Sequence, residues 1–284
     1  MHTRLVPNKK GAQGTGTASR KSILGDHPSP LNPFGVIFSA NDGKTNSNVP
    51  HRALSENEKI RPATVKCMRE MLVKHHASQE ALARTKQHRE AMKRLGFGDE
   101  QSRLRRFPLN ESTRKGNLAE VVLAEYVVSA SELTLPVYRL RYNPNIEQSM
   151  KGDDVLAFDL DADPVRVIIG ESKFRGTASE AAVKDIVDCL VRSHKSGLPA
   201  SLQFVADRLF DAGETELGMK VIGCAKLFAL GKLRLDYVGM LLSDPRAANC
   251  VDQSTPASLR RLAMISLGIK DPNSLVEACF HGLE

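Results

Sequence analysis

The chain has 284 residues, of which 41% are hydrophobic, enough for one large domain or two modest ones with a real core. No apolar run approaches the roughly 18 residues of a membrane-spanning helix, and the N-terminus lacks the apolar segment of a secretory signal. We therefore expect a cytoplasmic protein without a membrane segment. The five cysteines are scattered without a CxxC pair, which argues against a structural zinc site and a disulfide framework.

The first 58 residues differ in composition from the rest of the chain. Residues 1–50 are rich in Gly, Ser, Asn, Pro and Thr and show little apolar periodicity. The stretch from Lys10 to Ser19 is typical of a flexible linker, whereas the apolar patch Pro33–Ser39 indicates a short strand or a docking segment. We therefore predict that residues 1–58 form a low-complexity, partly disordered segment.

The region 59–110 is predicted to be helical and basic. Two helices are expected, over Thr64–His75 and Ser78–Leu95. The pair His75 and His76 lies at the end of the first helix, where the helix dipole favours histidine. We therefore do not interpret this pair as a metal site.

Positive charge is concentrated on the N-terminal side of the motifs described below. Residues 59–115 hold 15 Lys or Arg against 6 Asp or Glu, whereas residues 116–284 hold 18 against 23. Three interpretations are open: a surface for the phosphate backbone of DNA, a docking surface for an acidic partner, or a solvated helix face. The basic residues concerned are Arg84, Lys86, Arg89, Lys93, Arg94, Arg103, Arg105, Arg106, Arg114 and Lys115.

Residues 111–284 are predicted to form a third region of mixed helices and strands. A helix with an apolar face is expected over about 112–130. Glu120 lies in the early part of this helix and is a candidate functional acid, with stabilisation by the helix dipole as the alternative explanation. Glu125, on the same helix, is predicted to be an ordinary surface residue.

The strongest chemical signal is an acidic motif on two neighbouring predicted strands. Residues 155–158 and 165–169 are expected to be buried strands joined by a turn. Such a hairpin can bring Asp154 near Glu171 and Lys173. Because Glu171 and Lys173 are two positions apart, both side chains leave the same face of their strand.

This set of side chains suits metal-dependent phosphodiester chemistry. Two carboxylates on one face fit Mg²⁺, which prefers oxygen ligands, and a neighbouring lysine can orient or deprotonate a water or stabilise charge on a phosphate. With Glu120 as a third acid, the arrangement is typical of a one- or two-metal phosphodiesterase. Asp153 and Asp154 are adjacent, and only one of them can join Glu171 because neighbouring strand residues point to opposite faces.

The remaining elements predict an α/β fold, with a small mixed sheet of four or five strands flanked by helices. No GxGxxG or GxxxxGK[ST] motif occurs, so we expect no nucleotide to be bound by this chain. Further strands are expected at Val137–Tyr142 and Leu233–Leu242, and further helices at Ser179–His194, Ser201–Phe210, Thr215–Leu230, Pro256–Leu267 and Ser274–Leu283.

The motifs carry a resemblance to a known group of enzymes. Gly116…Glu120, Gly152-x-Asp154 and Glu171-x-Lys173, in this order, resemble the PD-(D/E)xK nuclease superfamily. More narrowly, the run Gly-Asp-Asp-Val-Leu-Ala-Phe followed by Ile-Ile-Gly-Glu-Ser-Lys-Phe-Arg resembles HamA, the nuclease family of the Hachiman anti-phage defence system.

The resemblance implies a metal-dependent DNA nuclease with a restriction-endonuclease-like core and an N-terminal helical basic extension. In this interpretation Glu120, Asp154 and Glu171 hold Mg²⁺ or Mn²⁺, and Lys173 positions the water or the scissile phosphate. The Gly-x-Asp spacing of the family favours Asp154 over Asp153. The resemblance also implies a HamB-like helicase partner that restrains or triggers the nuclease.

Two other functions are open at this point. A catalytically silent DNA-binding or helicase-docking subunit would reuse the fold, although the intact Glu171-x-Lys173 motif argues against it. A housekeeping nuclease of the junction-resolvase or restriction type would be active without a partner. The sequence does not distinguish endonuclease from exonuclease action, and it does not give the number of metals, the trigger or the stoichiometry.

Overall fold

One six-stranded mixed sheet organises the residues that the computed structural model describes, which are 19–97 and 104–283. The strand order is β1-β2-β6-β5-β4-β3, with antiparallel pairs at the two edges and parallel pairs in the centre. This architecture confirms the predicted α/β fold class. The strands are β1 (Phe38–Lys44), β2 (Pro50–Glu56), β3 (Val155–Asp159), β4 (Val165–Phe174), β5 (Leu233–Ser243) and β6 (Leu262–Gly268).

Helices cover both faces of this sheet, as expected for a sheet with parallel central strands. The described helices are α1 (Arg20–Leu24), α2 (Pro33–Ile37), α3 (Arg61–His76), α4 (Gln79–Arg94), α5 (Glu111–Ser131), α6 (Glu180–Ser196), α7 (Leu202–Asp211), α8 (Thr215–Ala229), α9 (Ala247–Ser254) and α10 (Pro272–Phe280).

Two hydrophobic cores result from the alternation of side chains along the strands. Val238 and Met240 of β5 face the core that contains α3, α5 and α10. Tyr237 and Leu241 face the other core, which contains α6, α7, α8 and α9. Because successive strand residues point to opposite faces, one buried strand supplies apolar side chains to both layers.

The predicted helices α3–α8 and α10 and the strands β3, β4 and β5 are confirmed, with ends shifted by a few residues. The strand predicted at Val137–Tyr142 is wrong. Arg139–Tyr142 form a short 3-10 helix, and in this part of the chain only Thr134 pairs with the sheet, through an isolated bridge to Phe158. Leu140 is buried although it does not lie in a strand. Its apolar side chain contributed to the sequence pattern from which a strand was predicted.

The helix predicted at Pro256–Leu267 is also wrong, because β6 runs from Leu262 to Gly268. This strand lies between β2 and β5 and is buried on both faces. A central parallel strand carries a continuous apolar run rather than an alternating one. Such a run cannot be distinguished from a buried helix by its periodicity.

Residues 38–56 contribute two strands that the sequence did not predict in full. The patch Pro33–Ser39 is a helical turn, α2, that leads into β1, and β2 then pairs in parallel with β6. The sheet therefore has six strands instead of four or five. The division of the chain at residues 58 and 110 stays a prediction, and Arg103 and most of the stretch Lys10–Ser19 lie outside the described residues.

No helix within the described ranges combines the length and apolar character needed to cross a membrane.

Candidate active site

A cleft of about 870 Å³ opens where β4 ends, between the first half of α5 and the second half of α6. All four predicted site residues line this cleft, although they come from a helix, a loop and a strand. The residues that line the cleft include Lys115, Glu120, Lys151, Gly152, Asp153, Asp154, Glu171, Ser172, Lys173, Arg175, Cys189, Arg192 and Ser193.

The hairpin of β3 and β4 brings Asp154 next to Glu171. Val155 pairs with Gly170, so the residues that precede and follow this pair lie side by side at the end of the ladder. One carboxylate oxygen of Asp154 accepts hydrogen bonds from the backbone N–H and the hydroxyl of Ser172, at 2.9 and 3.0 Å. Asp154 is therefore held at the end of β4 by the residue that follows Glu171.

Asp153 points in a different direction. Its carboxylate accepts a hydrogen bond from the Ser193 hydroxyl at 2.9 Å and another from the backbone N–H of Ser201 at 3.2 Å. These contacts tie the loop to α6 and to the start of α7. The carboxylates of the two adjacent acids therefore have different surroundings. The charge of Asp154 acts on Glu120 and Glu171 and contributes to the raised pKa of both.

Glu171 and Lys173 form a close ion pair on one face of β4. The Lys173 ammonium donates to Glu171 Oε1 at 2.6 Å and lies 3.6 Å from a carboxylate oxygen of Asp185. Burial, followed by the charge of Asp154, raises the pKa of Glu171 to about 7, against the opposing effect of Lys173. Burial acts to lower the pKa of Lys173, but the hydrogen bond to Glu171 and the negative charges of Glu171 and Asp154 together outweigh burial, so this pKa is raised.

Glu120 completes a group of three acids. It is the tenth residue of α5, well beyond the first turn, so the helix dipole does not explain its position. Its side chain is 9% exposed, and its Oε1 lies 2.9 Å from Nε of Arg139. Burial raises the pKa of Glu120 to about 8; Arg139 opposes this shift, and Asp154 and Glu171 add to it.

A close helix–sheet contact places Glu120 at this depth. At Gly170 of β4 an added Cβ would lie 2.8 Å from Cβ of Val155 and 3.1 Å from Cδ2 of Leu123 on α5. Glycine at this position therefore lets α5 approach the hairpin. The N-terminus of α5 is fixed by Asn110, whose side chain accepts from the backbone N–H of Thr113 at 3.0 Å.

Arg139 is a site residue that sequence reasoning missed. In addition to its ion pair with Glu120, the guanidinium donates hydrogen bonds to the carbonyl oxygens of Asp153 and of Met150, the latter at 2.6 Å. It thus joins α5 to the loop that enters β3. The prediction of a strand at Val137–Tyr142 concealed this role, and the residue type alone carries no signal for it.

The same loop depends on Gly152, which has a φ of 112°. A Cβ at this position would lie 2.6 Å from the Ser201 hydroxyl, which itself accepts from the backbone N–H of Asp153 at 3.0 Å. Both the backbone conformation and the space require glycine here. Gly152 therefore permits the sharp entry of the chain into β3.

The donor types in the cleft fit Mg²⁺ or Mn²⁺, which take carboxylate oxygens. Burial is the main cause of the raised pKa values of Glu120 and Glu171, and the neighbouring carboxylates add to it, so a bound cation would favour the ionised forms. Within the described residues no group of three or more His, Cys, Asp or Glu side chains is already arranged as a metal site. Instead, Glu120 pairs with Arg139 and Glu171 pairs with Lys173.

Four further cations line the cleft. Lys115 comes from α5, Lys151 from the loop before β3, Arg175 from the end of β4 and Arg192 from α6. Positive charge therefore stands on several walls around the acidic centre. The sequence singled out Lys115 as part of the basic region before the motifs, with DNA binding as one of three interpretations, but it did not single out Lys151 or Arg175.

The prediction that Glu125 is a surface residue is wrong. Its side chain is 13% exposed and accepts from Nε2 of His75 at 2.7 Å and from Nζ of Lys74 at 3.1 Å. His76 is buried too, and burial lowers its pKa to about 4. His75 and His76 lie at the end of α3, as predicted. Burial and hydrogen bonds explain this position, whereas an explanation by the helix dipole would require exposed, charged side chains.

Comparison with known proteins connects the fold to a family. The model of the HamA family matches residues 34–283. The chain is also 34% identical to Hachiman protein HamA of Bacillus cereus over 260 residues, which cover 91% of this chain and 93% of that protein.

The chain belongs to the HamA family. As a HamA protein it is a component of the Hachiman anti-phage defence system, which confirms the resemblance seen in its motifs. The matched range contains the whole cleft and also β1 and β2. The two N-terminal strands are therefore part of the region shared by HamA proteins.

Proposed function

We propose that this HamA protein is a metal-dependent deoxyribonuclease and the effector of its defence system. One observation carries the proposal: three buried or half-buried carboxylates and one lysine meet in a single cleft, although 53 positions separate Glu120 from Lys173. Burial raises the pKa of Glu120 and of Glu171, and the charge of neighbouring acids raises both further. A purely structural ion pair would not need these additional acids.

In the proposed mechanism Asp154, Glu171 and Glu120 hold the metal ion. When bound, Mg²⁺ supplies Lewis-acid activation of the phosphate and of the attacking water. Asp154 is oriented for this role by its two hydrogen bonds from Ser172. Glu171 is held by Lys173 and is freed in part when the lysine turns toward substrate.

Lys173 is the residue proposed to act directly on the reacting groups. Its side chain is 25% exposed, and its ammonium lies between Glu171 and Asp185, at the border between the acidic centre and the open cleft. From this position it either orients the attacking water or stabilises the negative charge that develops on the scissile phosphate.

The proposed substrate is DNA bound through its phosphates. Lys115, Lys151, Arg175 and Arg192 surround the acidic centre and match a polyanion. Contacts to phosphates position a nucleic acid without reading its sequence. We therefore expect cleavage without marked sequence preference.

Such an enzyme would also attack the DNA of its own host and needs restraint. Membership of the Hachiman system supports a partner that restrains or triggers it, and we propose a HamB-like helicase for this role. In this arrangement the partner couples detection of foreign DNA to access to the cleft.

The proposal is tested by measuring cleavage of supercoiled and linear DNA with Mg²⁺ or Mn²⁺, in the presence and absence of the proposed helicase partner and ATP. Lys173→Ala is expected to abolish cleavage. Lys184→Ala is the matched control, because Lys184 is exposed on α6 and does not line the cleft. If Lys173→Ala cleaves like the wild type, the proposed site is wrong.

The remaining outcomes separate the alternative functions. Cleavage only in the presence of the helicase supports a triggered effector, whereas strong cleavage by the chain alone indicates a housekeeping nuclease. Absence of cleavage in every condition, with DNA or helicase binding retained, indicates a catalytically silent docking subunit.

A further inference from the structure

Helix α4 is a charged element that the catalytic cleft does not explain. Its 16 residues, Gln79–Arg94, include no buried side chain. At 1.5 Å per residue the helix is about 24 Å long. We use the term α4 surface for its exposed cations Arg84, Lys86, Lys93 and Arg94.

Few contacts hold α4 to the rest of the protein. Arg89 Nε donates to the carbonyl oxygen of Leu104 at 2.7 Å, and Arg106 Nε donates to the Thr85 hydroxyl at 3.2 Å. Leu82 is partly buried and packs against the core that contains α3, α5 and α10. Hydrophobic burial therefore stabilises only one narrow side of this helix, and the rest of it faces solvent.

The charge of the α4 surface is poorly balanced. The carboxylate of Glu90 lies 3.9 Å from Arg94, and both side chains are well exposed. Glu80, one turn before Arg84, interacts with it electrostatically, whereas among the described residues no carboxylate forms an ion pair with Lys86 or Lys93. Exposed cations in excess over carboxylates concentrate counter-anions and favour a polyanionic ligand.

The α4 surface is joined to the catalytic cleft by a short basic segment. Residues 104–115 follow α4 in the described chain, contact it through Arg106, and end at Lys115, which lines the cleft. Arg114 in this segment donates through Nε to the carbonyl oxygen of Pro108. Arg105 of this segment pairs with Glu147 and Lys115 pairs with Glu111, so Arg106 and Arg114 supply its net positive charge between α4 and the cleft.

We propose that the α4 surface binds the phosphate backbone of DNA outside the cleft, on the same molecule whose scissile phosphate lies at Lys173. This inference rests on the proposed function. A helix of this length spans about seven base pairs of duplex at 3.4 Å per step. The α4 surface would therefore add affinity for long substrates and leave the chemistry at the cleft unchanged.

A nucleic acid suits α4 better than an acidic protein. Protein interfaces rely on buried aromatic or aliphatic anchors, and α4 exposes no large hydrophobic side chain, since the exposed Leu95 and Phe97 follow its last residue. Contacts to phosphates need only exposed cations. Charge complementarity and continuity with the cleft both favour DNA.

The test compares the full-length wild type with R84Q/K86Q/K93Q/R94Q. Glutamine keeps a helix propensity close to that of lysine and arginine. Binding to a fluorescent duplex of about 60 base pairs and to one of about 12 is measured by anisotropy in EDTA, which prevents metal-dependent cleavage, over a series of salt concentrations. The matched control is K44Q/K59Q/K226Q/K232Q, which removes the same charge from exposed sites elsewhere.

For the long duplex we expect the α4 variant to bind about tenfold more weakly or worse. The dependence of log K on log salt should become shallower by about 0.9 for each phosphate that the variant no longer neutralises. Binding of the short duplex and binding by the control variant should change much less. R84K/R94K should bind like the wild type, which separates the effect of charge from a folding defect.

The inference is overturned if the α4 variant keeps the affinity and salt dependence of the wild type, or if it loses binding to the helicase while DNA binding is unchanged. Either result leaves the proposed function intact as long as Lys173→Ala abolishes cleavage. Conversely, a wild type that binds long DNA through α4 without cleaving it would support this inference and remove the proposed function.

Discussion

Arg139 and Glu120 form a buried ion pair behind the acidic centre, with Nε of the arginine 2.9 Å from Oε1 of the glutamate. The other guanidinium nitrogens hold the carbonyl oxygens of Asp153 and Met150. One side chain therefore connects helix α5 to the loop that ends at Asp154. This places Arg139 in a positioning role, since it acts on the proposed metal ligands and not on substrate.

Removal of Arg139 should destabilise the protein and loosen the site. Arg139→Ala would leave the carbonyl oxygens of Asp153 and Met150 without their donor and Glu120 without its partner, so we expect it to lower the free energy of unfolding by about 3 kcal/mol. Arg139→Ala combined with Glu120→Gln should recover part of that loss. Urea denaturation measures both effects. As a control, Lys270→Ala, which removes an exposed pair with Glu58 at 2.9 Å, should change stability by about 1 kcal/mol or less.

The two adjacent acids should respond differently to substitution. Asp154→Asn should weaken Mn²⁺ binding, measured by calorimetry or electron paramagnetic resonance, because this carboxylate faces the other acids. Asp153→Asn should keep the metal affinity and lower stability by about 1 kcal/mol, through its hydrogen bonds with Ser193 and Ser201. The opposite pattern would assign the metal to Asp153.

The stability of the metal-free protein should fall as the pH rises from 6.5 to 8. Burial raises the pKa of Glu120 to about 8 and that of Glu171 to about 7, above the unfolded value of 4.5. The folded state then holds more protons than the unfolded state, so raising the pH costs about 1 to 2 kcal/mol over this window. The buried histidines have lowered pKa values and act below pH 6.5, outside the window.

Thermal unfolding at several pH values measures this trend. Glu120→Gln should flatten it because its side chain does not titrate. Mn²⁺ should reduce the decline as well, since a cation favours the ionised carboxylates. A melting temperature that stays constant or rises between pH 6.5 and 8 in EDTA would contradict the electrostatic description of the site.

Gly170 should not tolerate a side chain. In Gly170→Ala the new Cβ would meet Val155 at 2.8 Å and Leu123 at 3.1 Å, which pushes α5 away from the hairpin. We expect a loss of about 1 to 3 kcal/mol in the free energy of unfolding and a matching decrease in metal affinity. The control is Gly223→Ala in α8, where no atom lies within 4 Å of the new Cβ; there we expect neutral or slightly higher stability.

Local patterns were sufficient for the parts of the site that are close in sequence. The hairpin of β3 and β4 is short and strongly apolar, and its register follows from the turn. The two-residue period of a strand then fixes that Glu171 and Lys173 share a face. Helix α5 was likewise visible as an amphipathic run, and this run made Glu120 a candidate acid.

Long-range pairing was beyond these patterns. β2 pairs with β6 more than 200 positions away, and a strand buried on both faces has the same apolar run as a buried helix. Arg139 escaped notice for a related reason: its importance lies in three partners on separate elements, and the residue itself is an ordinary arginine in an irregular segment. Glu125 was misplaced because its partners, Lys74 and His75, lie on another helix.

The sequence by itself determined the motif, its order and the α/β class, because strand and helix periods act over a few residues and show in the order of side chains. Only the tertiary structure decided which of Asp153 and Asp154 faces the acids, which cations surround the cleft, and which arginine neutralises Glu120. These are choices among nearly equivalent side chains, and they depend on burial and distance in three dimensions, quantities that local spacing does not contain.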